Sequence, residues 1–141
     1  CTNEIPAVLR SLDSLVKPGG SVTLVVLPAF CLWEFLLAFK GKFATATRRL
    51  FSSNGRAAKV NGFPFTCWYH SPSMIKRLMK DKYECTGMEG LCSIVPPSYI
   101  EHFAEKHPTI FSFLVKQENK RKAAWPWRAI GDYYIISFVK K

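Results

Sequence analysis

The sequence predicts a single α/β domain in which helices cover a sheet, and two apolar strands carry this prediction. Ser21–Leu27 is a mostly apolar run that follows a helix and a Lys-Pro-Gly-Gly turn. Asp132–Val139 has large apolar side chains on both of its faces. A strand that is apolar on both faces is typical of a sheet interior covered by helices. At 141 residues the chain has the length of one such domain.

The first predicted element is an amphipathic helix between Ile5 and Val16. Its apolar residues recur at helical spacing, and Arg10 and Asp13 lie on the opposite face. Pro18 ends this helix and the glycines after it permit the turn into the strand.

The middle of the chain contains the clearest local signal, a β-hairpin. Short helices are predicted at Leu32–Phe39 and Phe43–Phe51, before two arms at Ala57–Val60 and Phe63–Trp68. The dipeptide Asn61-Gly62 joins the arms, and Asn-Gly readily adopts the two positive φ angles of a tight turn.

Five elements are predicted after the hairpin. They are a helix opened by Ser71-Pro72, an extended segment Tyr83–Val95, a helix with Ile100, Phe103 and Ala104 on its buried side, a helix Thr109–Lys122 and the closing strand Asp132–Val139.

This order of elements resembles the C-terminal half of a class I S-adenosylmethionine-dependent methyltransferase. Leu12–Leu24, with Pro18-Gly19-Gly20 inside it, resembles the helix, leucine-lysine-proline-glycine-glycine turn and fifth strand of that family; Val16 stands where leucine is commoner. Gly131–Phe138 resembles the family's antiparallel last strand, which inserts between the fifth and sixth strands. The resemblance covers essentially the whole chain. Its middle resembles a bacterial subgroup of small-molecule methyltransferases at Leu32-Trp33-Glu34, Arg48-Arg49, Trp68–Pro72 and Val95–Tyr99.

The resemblance implies a Rossmann-like fold of which residues 1–141 are the C-terminal part. We expect a short mixed sheet with an antiparallel last strand, helices on both faces, and an inserted lid with the β-hairpin at about residues 30–70. The glycine-rich turn and acidic residue that hold the cofactor in this family belong to an N-terminal half, and no Gly-x-Gly-x-Gly occurs here. S-adenosylmethionine is therefore expected to bind the parent protein and not this chain alone, which is expected to be inactive.

The resemblance also places a small-molecule methyl acceptor beyond the fifth strand, because open α/β sheets bind ligands at the carboxyl ends of their strands. Phe30, Trp33 and Glu34 follow that strand. Arg48 and Arg49 could hold an anionic group of the acceptor, or form a solvated face. Tyr69 and Trp33 could stack on a flat acceptor, and core packing is the alternative for each.

His70 is the candidate catalytic base, since the pKa of histidine lies near neutrality. The alternative is a structural role as a cap of the helix that begins at Ser71-Pro72. Glu34 has an alternative of the same kind, a salt bridge to Arg48 or Arg49.

Composition leaves a second class of function open. The formal net charge of +10 is compatible with a non-enzymatic module for nucleic acid or an acidic partner. Solvated helix faces or an acidic half outside this chain would also explain the charge, and no RNA-binding motif occurs, so nucleic acid is not the expected partner. The five cysteines contain no Cys-x-x-Cys pair, so neither a metal site nor a disulfide framework is predicted, and a reducing cytoplasm is expected. No apolar run reaches the length of a membrane span, and no membrane partner is expected.

The open edge of Val22–Leu27 predicts self-association. In the fold that the resemblance implies, this strand lacks its neighbour in the absent half, and an apolar strand edge invites pairing. We therefore expect a homodimer or an oligomer associated through that edge.

Overall fold

The computed structural model describes residues 4–36, 49, 55–60 and 62–141, which form a mixed α/β fold. Its sheets are a three-stranded antiparallel sheet and a separate two-stranded hairpin. In chain order the elements are α1 (Ile5–Leu15), β1 (Ser21–Val26), α2 (Leu32–Leu36), β2 (Arg56–Val60), β3 (Phe63–Cys67), α3 (Pro72–Met79), β4 (Tyr83–Leu91), α4 (Phe103–Lys106), α5 (Pro108–Arg121), a 3-10 helix (Trp127–Ala129) and β5 (Tyr133–Lys140).

The turn between α1 and β1 is fixed to the far end of β5. Val16 is extended and ends the helix, and Gly19 has a φ of 75°, a left-handed conformation that glycine adopts without steric cost. The amide of Gly19 donates to the carbonyl of Lys140 at 3.0 Å, and the amide of Lys140 donates to Gly20 at 2.9 Å. The predicted helix and turn are confirmed.

The last strand lies in the middle of the sheet, as predicted. The strand order is β1-β5-β4, and β5 is antiparallel to both neighbours. Ile136 lies opposite Leu24 on one side and Met88 on the other. β1 and β4 therefore run parallel to each other with β5 between them. Every neighbouring pair in this sheet is antiparallel, so the expected mixed sheet is not what the described strands form.

One face of the sheet carries the core. Alternate strand residues, including Val22, Ile136 and Phe138, are buried there against Leu9 of α1 and Ile75 of α3. The driving force is removal of apolar surface from water.

The opposite face of the sheet is exposed along β1 and half-buried along most of β5, which corrects two expectations. On β1 the residues Ser21, Thr23 and Val25 are exposed, Val25 by 61%, so Ser21–Leu27 is not buried on both faces. Tyr133 on β5 is 40% exposed on the same side. Helices on both faces were expected, but α1 and α3 pack on one face, and these alternate residues have no comparable layer over them among the described residues.

The hairpin forms where Asn-Gly predicts it. β2 and β3 pair in register from Arg56 opposite Cys67 to Val60 opposite Phe63, and Gly62 in the turn has a φ of 85°. Outside the hairpin, the expected lid is described at residues 30–36, where α2 is shorter than the predicted helix Leu32–Phe39, and at 49, 55 and 68–70. The helical stretch Phe43–Phe51 lies outside the described residues except for Arg49.

The chain after β4 is held by one carboxylate from α5. Glu118 accepts from the backbone amides of Cys92 at 2.6 Å, Ile94 at 2.9 Å and Val95 at 2.7 Å. Glu118 is 8% exposed, and these amides satisfy its carboxylate in the interior.

The expected helix with a buried side at Ile100, Phe103 and Ala104 is wrong in extent and burial. α4 is a single turn, Phe103 is half-buried and Ala104 is exposed. None of the helices in the described ranges combines the length and apolarity that crossing a membrane requires.

Candidate functional site

The carboxyl end of β1 is where separate parts of the chain meet. The amide of His70 donates to the carbonyl of Leu27 at 3.0 Å, and the amide of Leu32 donates to Ile130 at 2.9 Å. The amide of Asp132 donates to Leu91 at 2.9 Å, next to the end of β4. These bonds bring the segments before α2, before α3 and before β5 to one end of the sheet.

A buried arginine joins two of these segments. Arg49 Nη2 donates to Glu34 Oε1 at 2.8 Å and to Asp132 Oδ1, and Nη1 donates to the carbonyl of Asp132 at 2.9 Å. The exposed fractions are 4% for Arg49, 1% for Glu34 and 7% for Asp132. We call these three residues the arginine cluster. Its formal charge is one cation against two carboxylates, so the guanidinium is already engaged by the chain's own anions.

The electrostatics of the arginine cluster favour the charged form of Arg49. Burial alone would lower the pKa of this guanidinium, but its hydrogen bond to Glu34 and the charges of Glu34 and Asp132 raise the pKa above its ordinary value. The Tyr69 ring lies against the same group, with 5.1 Å from Arg49 Cζ to the ring centroid, in the range of a cation–π contact.

Two neutral groups lie beside the arginine cluster. Cys31 Sγ is 3.9 Å from the Tyr99 hydroxyl, and burial raises the pKa of both the thiol and the phenol. A thiolate is the nucleophilic form of cysteine, so this environment makes Cys31 a poor nucleophile.

A pocket opens beside the arginine cluster, along β1. Its volume is about 270 Å³. We call it the β1 pocket; it is lined by Ile5, Val8 and Leu9 of α1, by Leu24, Val25, Val26 and Leu27, and by Trp68, His70 and Tyr133. Burial raises the pKa of the Tyr133 phenol, which keeps it protonated near neutral pH.

His70, the predicted base, lines the β1 pocket and is 7% exposed. Its backbone is held on both sides, because its amide binds Leu27 and its carbonyl accepts from the Tyr134 hydroxyl at 3.1 Å. The cap of α3 is Ser71, whose Oγ accepts from the amide of Met74 at 3.3 Å. Ser71 is therefore the N-cap of α3, and His70 directly precedes it.

None of the other predicted site residues that the structure describes lines the β1 pocket. Glu34 and Arg49 belong to the arginine cluster and Tyr69 lies against it, which matches the salt bridge considered as the alternative for Glu34. Phe30 packs on Phe35 with 5.9 Å between ring centroids, and Trp33 is half-buried. Neither of these two lines the β1 pocket. Arg48 lies outside the described residues.

Sequence reasoning missed Asp132, Trp68 and Tyr133. A signal existed for Asp132, since it directly precedes a strand that runs antiparallel to β1. The start of such a strand lies beside the carboxyl end of its neighbour, where the predicted site is. For Trp68 and Tyr133 no local pattern distinguished pocket lining from core.

Neither the family models nor the curated proteins that were searched contain a match for this chain.

Proposed function

We propose that this chain forms the acceptor-binding part of an S-adenosylmethionine-dependent methyltransferase of small molecules. The strand order β1-β5-β4 carries the proposal, because β5 is the last strand and lies antiparallel between two strands that are parallel to each other. The resemblance to class I methyltransferases implies this arrangement for the fifth, last and sixth strands.

The location of the β1 pocket supports the proposal. Ligands of open α/β sheets bind beyond the carboxyl ends of the strands. Leu27 follows β1 and lines the pocket together with His70, and the arginine cluster lies at the same end of the sheet. The acceptor would occupy the β1 pocket.

The residues that the structure describes do not fit a cofactor site. The sequence has no Gly-x-Gly-x-Gly, and β1 is followed by Pro28-Ala29-Phe30. Gly90 and Gly131 serve the chain's own packing, because a Cβ on either would lie 2.3 Å from a backbone carbonyl oxygen, that of Trp127 or Leu91. We therefore assign no S-adenosylmethionine contacts to this chain and derive no transfer step through it.

The chain's own residues have two roles in this proposal. The apolar walls of the β1 pocket orient the acceptor. The imidazole of His70 takes a proton from the acceptor, the role of a general base for which enzymes use histidine most often.

Cofactor binding by the product of the complete coding sequence tests the proposal. The coding sequence before Cys1 should encode a glycine-rich turn followed by an acidic residue. Equilibrium dialysis with labelled S-adenosylmethionine should then detect binding to the complete product and none to residues 1–141 alone. A complete product that fails to bind the cofactor, or an upstream sequence without that turn, overturns the proposal.

His70→Gln in the complete product tests the proposed base. A lost general base lowers kcat by about 10²- to 10⁴-fold while leaving cofactor binding unchanged. Ser73→Ala, three residues along at an exposed position of α3, is the matched control and should keep full activity. An unchanged kcat for His70→Gln would assign His70 to structure alone.

A further inference from the structure

The β1 pocket has an uncharged lining. Among its described lining residues there is no Lys, Arg, Asp or Glu, and the groups able to form side-chain hydrogen bonds are Trp68, His70 and Tyr133. The nearby cation, Arg49, is held by Glu34 and Asp132. A charged ligand would lose part of its hydration here without gaining a partner of opposite charge among the described lining residues.

The walls of the pocket suit a flat ligand. Trp68 and Tyr133 offer aromatic surface, and aliphatic side chains of α1 and β1 supply the remainder. The volume of about 270 Å³ lies just below the range of about 300–1,000 Å³ for sites of drug-sized ligands, which indicates a ligand of one or two rings.

From this lining we infer that the β1 pocket binds a neutral aromatic molecule of one or two rings that bears a hydroxyl or amine near His70. The inference goes beyond the proposed function, since it concerns binding by this chain alone and requires no cofactor. If methyl transfer does occur, this molecule is the acceptor class.

A small molecule is a better occupant than a second copy of β1. The amide of His70 already binds the carbonyl of Leu27, which shortens the free edge of the strand. Each chain also carries a formal charge of +10, so two copies repel each other. The expected self-association through this edge is therefore a competing outcome of the test.

Binding of three matched probes to the purified chain tests the inference. The probes are 2-naphthol, which is neutral near pH 7, the anion 2-naphthoate and the cation 2-naphthylmethylammonium, each titrated by calorimetry. We expect saturable binding of 2-naphthol, and binding at least about tenfold weaker for both ions, because their charge has no partner in the pocket. Equal binding of either ion, or no binding of 2-naphthol, overturns the inference.

Two exposed valines allow the pocket to be altered without disturbing the core. Val8 of α1 is 41% exposed and Val25 of β1 is 61% exposed. Val8→Asp or Val25→Glu should weaken 2-naphthol binding by about tenfold or more, since each places a carboxylate in the lining. Leu15→Asp is the control on α1, because Leu15 is 79% exposed and outside the lining.

Light scattering on the same variants separates the two occupants. A monomeric chain whose 2-naphthol affinity falls with Val8→Asp and Val25→Glu, but not with Leu15→Asp, supports the inference. A dimer that these two substitutions dissociate assigns the surface to a second copy and overturns it. Neither result depends on S-adenosylmethionine, so failure here is distinguishable from failure of the proposed function.

Discussion

The two ends of β5 carry charge clusters that differ in sign and in burial. Before its first residue, Asp132 joins the arginine cluster, in which one cation faces two carboxylates and all three residues are almost fully buried. At its other end, Lys140 Nζ lies 2.8 Å from Asp13 Oδ1, and Lys82 Nζ lies against Asp13 Oδ2. We call this second group the aspartate cluster; two cations face one carboxylate there, and the Lys82 side chain is 67% exposed.

The clusters differ most in the access of water to Lys82, since the side chains of Asp13 and Lys140 are only 17% and 20% exposed. Water screens an exposed ion pair and can replace either partner, so such a pair contributes little to stability. A buried charge has no such replacement, and removing its partner leaves an uncompensated ion in the interior. Similar contact distances therefore predict large effects of substitution at Arg49 and small effects at Lys82.

Replacing Arg49 should give the largest effect. Arg49→Met leaves Glu34 and Asp132 buried without their cation, which we expect to lower the free energy of unfolding by about 3–5 kcal/mol. Urea denaturation followed by circular dichroism measures this change. Arg10→Met is the matched control, since Arg10 is exposed on α1, and it should stay close to wild type.

Two further variants sharpen the comparison. Arg49→Lys keeps the charge but loses the second nitrogen, Nη1, which donates to the Asp132 carbonyl while Nη2 bonds both carboxylates, so its stability should fall between those of wild type and Arg49→Met. Adding Glu34→Leu to Arg49→Met should restore part of the loss, because it removes one of the unpaired charges. A loss of less than about 1 kcal/mol for Arg49→Met, the range of exposed pairs, would contradict the buried cluster.

Glu118 should give an intermediate effect, since it is a buried carboxylate held by amides instead of a cation. Glu118→Gln replaces one acceptor oxygen by an NH₂ donor that faces backbone amides. We expect a loss of about 1.5–3 kcal/mol, the range for hydrogen bonds to charged groups. Glu105→Gln is the control, because the Glu105 side chain is 77% exposed. Equal unfolding midpoints for both variants would show that the amides after β4 do not depend on the carboxylate.

The elements that sequence predicted correctly are those whose signal is local. The hairpin follows from Asn61-Gly62, and the turn after α1 follows from Pro18-Gly19-Gly20, because backbone conformation at these residues is restricted within a few positions. The exposure of Val25 could not be predicted in this way. Whether the second face of a strand is buried depends on which other layer covers it, and the strand itself does not encode that layer.

In the candidate site, too, some features follow from local sequence and others depend on distant parts of the chain. A salt bridge of Glu34 to Arg48 or Arg49 was an alternative predicted from the sequence, and the structure forms the one with Arg49. The role of Asp132 depends on the antiparallel pairing of β5 with β1, more than a hundred positions away in the chain. The lining by Trp68 and Tyr133 depends on the same pairing and on the bond between His70 and Leu27. The residues that line the pocket are therefore determined by the pairing of β5 with β1, which residue types alone do not predict.

The aspartate cluster should give the smallest effect at neutral pH and a clear one in acid. Hydrogen bonds from Lys140 and then Lys82 hold the pKa of Asp13 below its usual range. The folded state therefore binds this proton less readily than the unfolded state, whose aspartate titrates near pH ~3.9. The stabilisation is present above that pH and is lost as the pH falls below it.

Thermal unfolding as a function of pH tests this assignment. The melting temperature of Asp13→Asn should fall less on acidification than that of wild type. Asp81→Asn, at an exposed position beside Lys82, is the control. At neutral pH, added salt should reduce the difference in melting temperature between Asp13→Asn and wild type, since Lys82 is in contact with water and salt screens its charge. Parallel profiles of melting temperature against pH for Asp13→Asn and wild type would show that the two lysines do not bind the carboxylate in solution. In that case only the arginine cluster would form, and the comparison of the two ends of β5 would no longer be one between two ion clusters.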